Sequence, residues 1–237
     1  MPIPSIPLDA AVDGRRAPAL LFVPASDAPL PLVLFGHGAH LSKDDEVMQI
    51  LARAFARGVP AGVALMDCPG HGERRPVGSS QQEFEHDVAR RMSDPDGDAE
   101  LVADWLAVEA AARHASPLLT GPLGYAGFSM GSLLGISIVA DLPDVRAAVF
   151  ALGGTWHDVS GNEARNARVR EGAERLGERE VLMLNMTRDE HFPIDGAIDV
   201  LERIPGPKRM GVWAGTHAEL PPESMQLITD FFGRVLG

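Results

Sequence analysis

The sequence has few of the features that tie a protein to metals, membranes or nucleic acids. A single cysteine, Cys68, excludes an intrachain disulfide and any multi-cysteine metal site. His86, His114 and His191 lack partners at metal-ligand spacing, so we expect no metal and no cofactor. Acidic residues outnumber basic ones, 33 against 21, and the net charge of −12 argues against nucleic acid or anionic membranes as partners. Residues 1–7 lack the basic and apolar regions of a signal peptide, and no segment is continuous enough for a membrane span, so a cytoplasmic location is expected.

Short apolar segments alternate with helical patterns along the chain. Residues 3–24 predict an antiparallel hairpin whose prolines suit a sheet edge. Residues 30–35 and 61–66 are continuous apolar runs, typical of strands buried on both faces, with a helical pattern between them. The pattern predicts about six buried strands beyond the hairpin, in an α/β fold with a doubly wound, mostly parallel sheet. A length of 237 residues is compatible with a single domain over 1–237.

Three polar stretches are harder to interpret. Residues 73–98 are charged and weakly periodic, which predicts a long loop with one short helix. Ser42, with an acid three residues later, resembles the capping box of a following helix. Residues 155–180 provide the only room for a lid-like segment, too short for a lid domain, so we expect a fairly open or small pocket. The Arg- and Glu-rich stretch 163–179 is interpreted as a solvated helical face.

One short motif, G-F-S-M-G, follows an apolar strand and opens a helical pattern. Gly127 and Gly131 flank Ser129 at two residues on each side. This spacing suits a serine on a sharp strand-to-helix turn, since glycine lets the two backbones approach closely. The helix N-terminus behind such a serine supplies free N–H groups where an oxyanion would form. Glycine and serine also make ordinary turns, so the motif needs support from the rest of the chain.

That support comes from the residues that follow the other predicted strands. Ligands of open α/β sheets bind beyond the carboxyl ends of the parallel strands. Ser129, Asp189 and His217 each follow a different strand and occur in that chain order. Serine, then acid, then histidine is the order of the hydrolase triad, which differs from both serine-protease orders. In such a triad the histidine takes the serine proton and the acid holds the other ring nitrogen.

Glu190 and Asp195 are two alternatives to Asp189 as the acid of this triad. Asp189 is preferred because it follows its strand most directly. Asp195 lies at the start of the next predicted helix, where a carboxylate is stabilised by the helix dipole. Glu190 stays open as an alternative.

Taken together, these motifs make the chain resemble the α/β-hydrolase family over nearly its whole length. The resemblance is nearest to cap-poor serine esterases and dienelactone-hydrolase-like proteins, although the latter usually carry cysteine where Ser129 stands. The resemblance implies a catalytic triad of Ser129, Asp189 and His217, and an oxyanion hole made by the backbone N–H groups of Met130 and Ala39. The matching segments are residues 35–38, 67–72, 127–131, 187–193 and 215–217.

The second oxyanion donor and the pocket are less well defined by the sequence. Ala39 follows His-Gly, and the H-G-G-G motif of many lipases is absent. His40 and Trp156 are candidate substrate-binding residues, with a solvated loop histidine and simple packing as the respective alternatives.

The predicted function is hydrolysis of a small-molecule carboxylic ester through an acyl-enzyme at Ser129. A thioesterase or an amidase would use the same groups. A non-catalytic small-molecule-binding protein on the same fold is the alternative of another class. The assembly state is left open, with a homodimer among the options.

Overall fold

The computed structural model describes residues 3–94, 96–156 and 163–237. Eight strands of these residues form one sheet in the order β1-β2-β4-β3-β5-β6-β7-β8. From β4 to β8 all neighbouring strands pair in parallel, as predicted. The strands are β1 (Ser5–Val12), β2 (Arg15–Phe22), β3 (Leu32–Gly36), β4 (Gly62–Met66), β5 (Leu123–Phe128), β6 (Val145–Ala151), β7 (Glu180–Met186) and β8 (Lys208–Trp213).

The predicted N-terminal hairpin is confirmed at one edge of the sheet. β1 pairs antiparallel with β2, and Asp13 and Gly14 make the turn with positive φ angles of 51° and 76°. β2 then pairs antiparallel with β4 and joins the hairpin to the parallel part. Because β1 lies at the edge, its Pro7 does not interrupt a central strand.

Helices cover both faces of the sheet. Buried residues of α1 and α7 form a core cluster on one face, and those of α3 to α6 form a second cluster with the other face. In the described part of the chain, no helix combines the length and the apolar character needed to cross a membrane. The helices are α1 (Glu46–Gly58), α2 (Gln81–Ser93), α3 (Asp96–Ala115), α4 (Met130–Ile138), α5 (Glu163–Glu174), α6 (Ile194–Arg203) and α7 (Pro222–Leu236).

The prediction of a long loop with one short helix over residues 73–98 is wrong about how much of this stretch is helical. α3 begins at Asp96 within the stretch, and half of the stretch is α2, a helix of 13 residues. Ser80 caps it: its hydroxyl accepts the Glu83 N–H, while the Glu83 carboxylate accepts the Ser80 N–H at 2.8 Å. The helical periodicity is weak because α2 has few apolar residues, and those it has, such as Phe84 and Val88, line a cavity.

The interpretation of Ser42 as a helix cap is also wrong. α1 begins at Glu46, and Asp45 occupies its N-cap position. The Asp45 carboxylate accepts the Ser42 N–H at 2.6 Å and the Ser42 hydroxyl at 2.7 Å. The pair therefore closes a turn that precedes the helix.

The segment proposed as lid-like contains a helix of the layer that packs on the sheet. In α5, Val169 and Ala173 are fully buried against neighbouring helices. Arg165 is only 2% exposed and its guanidinium contacts the Asp98 carboxylate at 2.8 Å, so the expected solvated face is wrong for this side of α5. Residues 157–162 of the lid-like segment lie outside the described residues.

Candidate active site

Ser129 occupies a strained turn between β5 and α4. Its backbone angles are φ 54° and ψ −113°, in a region that costs a non-glycine residue about 1–3 kcal/mol. Its N–H donates to the Ala151 carbonyl at 2.9 Å, which fixes the turn against β6. Gly131 is required, because a Cβ there would lie 2.4 Å from the Gly36 carbonyl oxygen. The strain and the close approach of α4 to β3 together hold the Ser129 side chain above the carboxyl edge of the sheet.

His217 reaches Ser129 from the loop between β8 and α7. Its Nε2 lies 2.8 Å from the Ser129 Oγ, although the two residues are 88 positions apart in the sequence. Glu219 shapes this loop by accepting the Thr216 N–H at 2.6 Å and the Thr216 hydroxyl at 3.0 Å. The side chain of His217 is partly buried, with 16% exposure.

Asp189 holds the other nitrogen of that imidazole. Its Oδ2 lies 2.8 Å from His217 Nδ1, and its Oδ1 accepts the N–H groups of His191 and Phe192, each at 2.9 Å. Burial raises the pKa of Asp189, but the hydrogen bonds it accepts, led by the one with His217, outweigh burial and lower the pKa below its ordinary value. The carboxylate is therefore ionised at neutral pH and favours a proton on Nδ1, which leaves Nε2 to accept one from Ser129.

The two rival acids have other contacts. Glu190 accepts the backbone N–H of His217 at 3.1 Å and is exposed. Asp195 accepts the N–H of Gly196 at 2.9 Å in the first turn of α6. The structure therefore brings Asp189, and neither rival, to the ring of His217.

The two proposed oxyanion donors lie on either side of Ser129. Met130 is the first residue of α4, where backbone N–H groups have no partner within the helix. Ala39 lies on the loop after β3 and, like Met130, lines the cavity above Ser129. Sequence reasoning assigned no role to the residue that supports this loop, His37.

His37 is fully buried and joins the loops after β3 and β4. Its Nε2 accepts the Cys68 N–H at 3.0 Å, so its Nδ1 carries the proton and donates to the Gly38 carbonyl at 2.8 Å. Burial lowers the pKa of His37, in keeping with a neutral ring. Because Gly38 precedes Ala39, the ring fixes the backbone that would present the second donor.

A second link between these loops involves Asp67, which is also fully buried. Its carboxylate accepts the N–H of Lys43 at 2.8 Å and that of Glu73 at 3.0 Å. Asp67, Glu73 and Asp44 form an acidic group, and the Lys43 ammonium lies 3.6, 2.8 and 2.6 Å from their respective carboxylates. The lysine offsets part of the negative charge of this acidic group.

A cavity of about 800 Å³ opens above Ser129. Of the two pockets expected from the sequence, fairly open or small, its volume does not fit the small one. The structure places both candidate binding residues, His40 and Trp156, on its wall. Sequence reasoning missed Phe84 and Val88 of α2, which also line it. The Ser-x-x-Glu cap at the start of α2 was the signal that could have located this wall.

Trp156 is held in place by two contacts. Its indole is stacked on the Phe192 ring at 6.2 Å and 6°, and the Phe192 ring lies 5.7 Å from that of His217. The Asn166 side chain accepts the Trp156 N–H at 2.7 Å and donates to the Trp156 carbonyl at 3.2 Å. α5 thereby supports the cavity wall beside the imidazole.

A doubly wound sheet with a serine on a strained strand-to-helix turn and a histidine and acid on later strand ends defines a hydrolase-type architecture. No protein-family model matches the sequence, and no curated protein matches it significantly. The chain is similar to a solved cold-adapted esterase from an Arctic intertidal metagenomic library, at 24% identity and a TM-score of 0.79 over 98% of this chain and 93% of that chain.

Two further solved structures are similar at lower identity. Dienelactone hydrolase from Anabaena variabilis is 19% identical, with a TM-score of 0.73 over 99% of each chain. Acetyl xylan esterase 1 from Thermoanaerobacterium is 18% identical, with a TM-score of 0.74 over 97% of this chain and 83% of that chain. The protein has the α/β-hydrolase fold.

Proposed function

We propose that this protein is a serine hydrolase that cleaves a small-molecule carboxylic ester. The observation that carries the proposal is the continuous chain of contacts from Ser129 Oγ through His217 to the buried Asp189, with both nitrogen–oxygen distances at 2.8 Å. A hydroxyl is a weak nucleophile at neutral pH and needs a base at this distance. The resemblance in fold to esterases is consistent with the proposal.

The reaction has two steps, acylation of Ser129 and hydrolysis of the acyl-enzyme. The Ser129 oxygen bonds to the ester carbonyl carbon while His217 takes the hydroxyl proton. The carbon–oxygen bond to the alcohol then breaks, and the same proton passes to the departing alkoxide. Water, activated by the same imidazole, cleaves the acyl-enzyme to a carboxylic acid and restores Ser129. The N–H groups of Met130 and Ala39 would stabilise the oxyanion in both steps.

Kinetics of p-nitrophenyl acetate hydrolysis test the proposal. Ser129→Ala and His217→Ala are each expected to lower kcat about 10⁴-fold or more, because triad members act as a unit. His114→Ala, an exposed histidine on α3, is the matched control and should change kcat less than twofold. A folded wild-type protein with no turnover above the Ser129→Ala background would support the binding-protein alternative.

Hydrolysis of a thioester or an amide would use the same three side chains as hydrolysis of an ester. The three substrate classes are therefore distinguished by their relative kcat/KM. Measuring kcat/KM for an ester, a thioester and an amide with one common acyl group compares the leaving groups directly. We expect the ester to be the best of the three. A thioester preferred more than tenfold would redirect the proposal to a thioesterase.

A further inference from the structure

The cavity above Ser129 has two apolar walls that belong to opposite faces of the sheet. Leu51 of α1 and Met225 of α7 line one wall and pack against the core cluster on their face. Val88 of α2 and Trp156 line the other wall and pack against the core cluster of the opposite face. Ser129 follows β5, the strand that runs between these faces. A carbonyl carbon at Ser129 would therefore have an apolar surface on each side.

The cavity has few charged side chains that could bind a charged ligand. Among the described residues that line it, Glu85 is the only one with a formal charge, and no lysine or arginine takes part. Sites for carboxylates or phosphates are built from arginine and lysine, which pair with the anion directly. The net charge of −12 further disfavours an anionic substrate.

Polar groups on the walls are also few. Apart from the proposed triad members, the lining side chains able to form hydrogen bonds are those of His40, Glu85, Trp156, His191 and Ser224. A polyhydroxylated ligand would lose more hydrogen bonds to water than these groups could replace. A volume of about 800 Å³ is near the upper end of small-molecule pockets.

We propose that the substrate is an uncharged ester with an apolar chain on both sides of the scissile bond. The inference rests on the proposed function, since it needs the ester carbonyl at Ser129. The acyl chain then lies along one wall and the alcohol chain along the other. Both products, a carboxylic acid and an alcohol, leave through the open side of the cavity.

Four esters test the two sides separately: ethyl acetate, ethyl hexanoate, hexyl acetate and monoethyl adipate. Each buried methylene is expected to raise kcat/KM by about fourfold at most. We therefore expect ethyl hexanoate and hexyl acetate each to exceed ethyl acetate by at least about tenfold, allowing for incomplete burial. Monoethyl adipate has the length of ethyl hexanoate with a terminal carboxylate, and should be at least about tenfold poorer than ethyl hexanoate.

Variants on each wall of the cavity identify whether that wall binds the acyl chain or the alcohol chain of the substrate. Leu51→Trp and Val88→Trp would fill opposite sides of the cavity, and each is expected to lower one of the two long-to-short ratios by about tenfold. Ile50→Trp and Arg90→Trp are matched controls on exposed positions of the same two helices, and should leave both ratios unchanged.

Labelling of Ser129 by a fluorophosphonate separates the two ways in which the inference could fail. Labelling combined with equal rates for long and short esters, or with a preference for monoethyl adipate, would overturn this inference alone. Absence of labelling and of all ester hydrolysis would overturn the proposed function and this inference with it.

Discussion

Replacing Asp189 by asparagine would keep the shape of the side chain and change one contact. Its Oδ1 accepts two backbone N–H groups, each at 2.9 Å, so the asparagine oxygen is expected to occupy that side. The amide NH₂ would then face His217 Nδ1, which is 2.8 Å from the carboxylate in the wild type. Two N–H groups cannot bond to each other, so the imidazole would carry its proton on Nε2. In that tautomer it cannot accept the Ser129 proton.

In serine hydrolase triads, loss of the correct histidine tautomer lowers kcat by a known factor. We expect kcat of Asp189→Asn to fall about 10⁴-fold, which corresponds to roughly 5 kcal/mol of transition-state stabilisation. The fold should persist, because the two backbone hydrogen bonds to the residue are kept. Steady-state hydrolysis of p-nitrophenyl acetate gives kcat, and circular dichroism of the same samples checks the fold.

Glu190→Gln is the matched control for this experiment. Glu190 contacts His217 only through a backbone N–H, at 3.1 Å from an exposed carboxylate. Its amide can still accept that hydrogen bond, so kcat should fall less than tenfold. The assignment of Asp189 would be refuted if Glu190→Gln caused the larger loss, or if Asp189→Asn kept more than a tenth of the activity.

Three further predictions concern stability and the cavity wall. Burial lowers the pKa of His71 to about 4, below the value of about 6.5 in an unfolded chain. The unfolded state therefore binds the proton first, and stability falls as pH drops through this interval. His71→Asn should lessen the loss of unfolding free energy between pH 7 and pH 4.5 in urea titrations, and an undiminished loss would contradict the reasoning. Gly131→Ala, whose Cβ would lie 2.4 Å from a β3 carbonyl oxygen, should lower that free energy by about 3 kcal/mol or more. Gly233→Ala, with no atom within 4 Å of its Cβ, should raise it by about 0.5–1 kcal/mol, and equal effects would be contrary to the close-packing argument. Asn166→Ala removes both hydrogen bonds to the Trp156 backbone and should raise KM for hexanoate esters by about fivefold to tenfold, more than it lowers kcat. A change in kcat alone would argue against this role.

The parallel sheet could be predicted from the sequence because its strands are buried on both faces. Such strands are nearly continuous apolar runs, and each ends in polar or glycine residues at the functional edge. This placement singles out Ser129, His217 and the neighbouring acids Asp189 and Glu190 as candidates for the site. The choice between Asp189 and Glu190 could not be made that way, since neighbouring residues differ only in the direction of their side chains.

The regions that sequence reasoning missed are those whose apolar residues face the cavity. α2 carries only a few such residues, so its hydrophobic period is weak and it resembled a loop. His37 and Asn166 were missed for another reason: each acts through hydrogen bonds to the backbone of distant residues, and no local spacing encodes those contacts. Long-range contacts of this kind follow from the fold and become visible only with it.

The proposed function requires that Ser129 is the nucleophile and that His217 activates it. Mass spectrometry of the protein after reaction with a fluorophosphonate, followed by peptide mapping, tests this claim most directly. We expect a single adduct on Ser129 in the wild type, no adduct in Ser129→Ala, and labelling slowed by several orders of magnitude in His217→Ala. An unmodified wild-type protein, or an adduct on another residue that persists in Ser129→Ala, would contradict this claim.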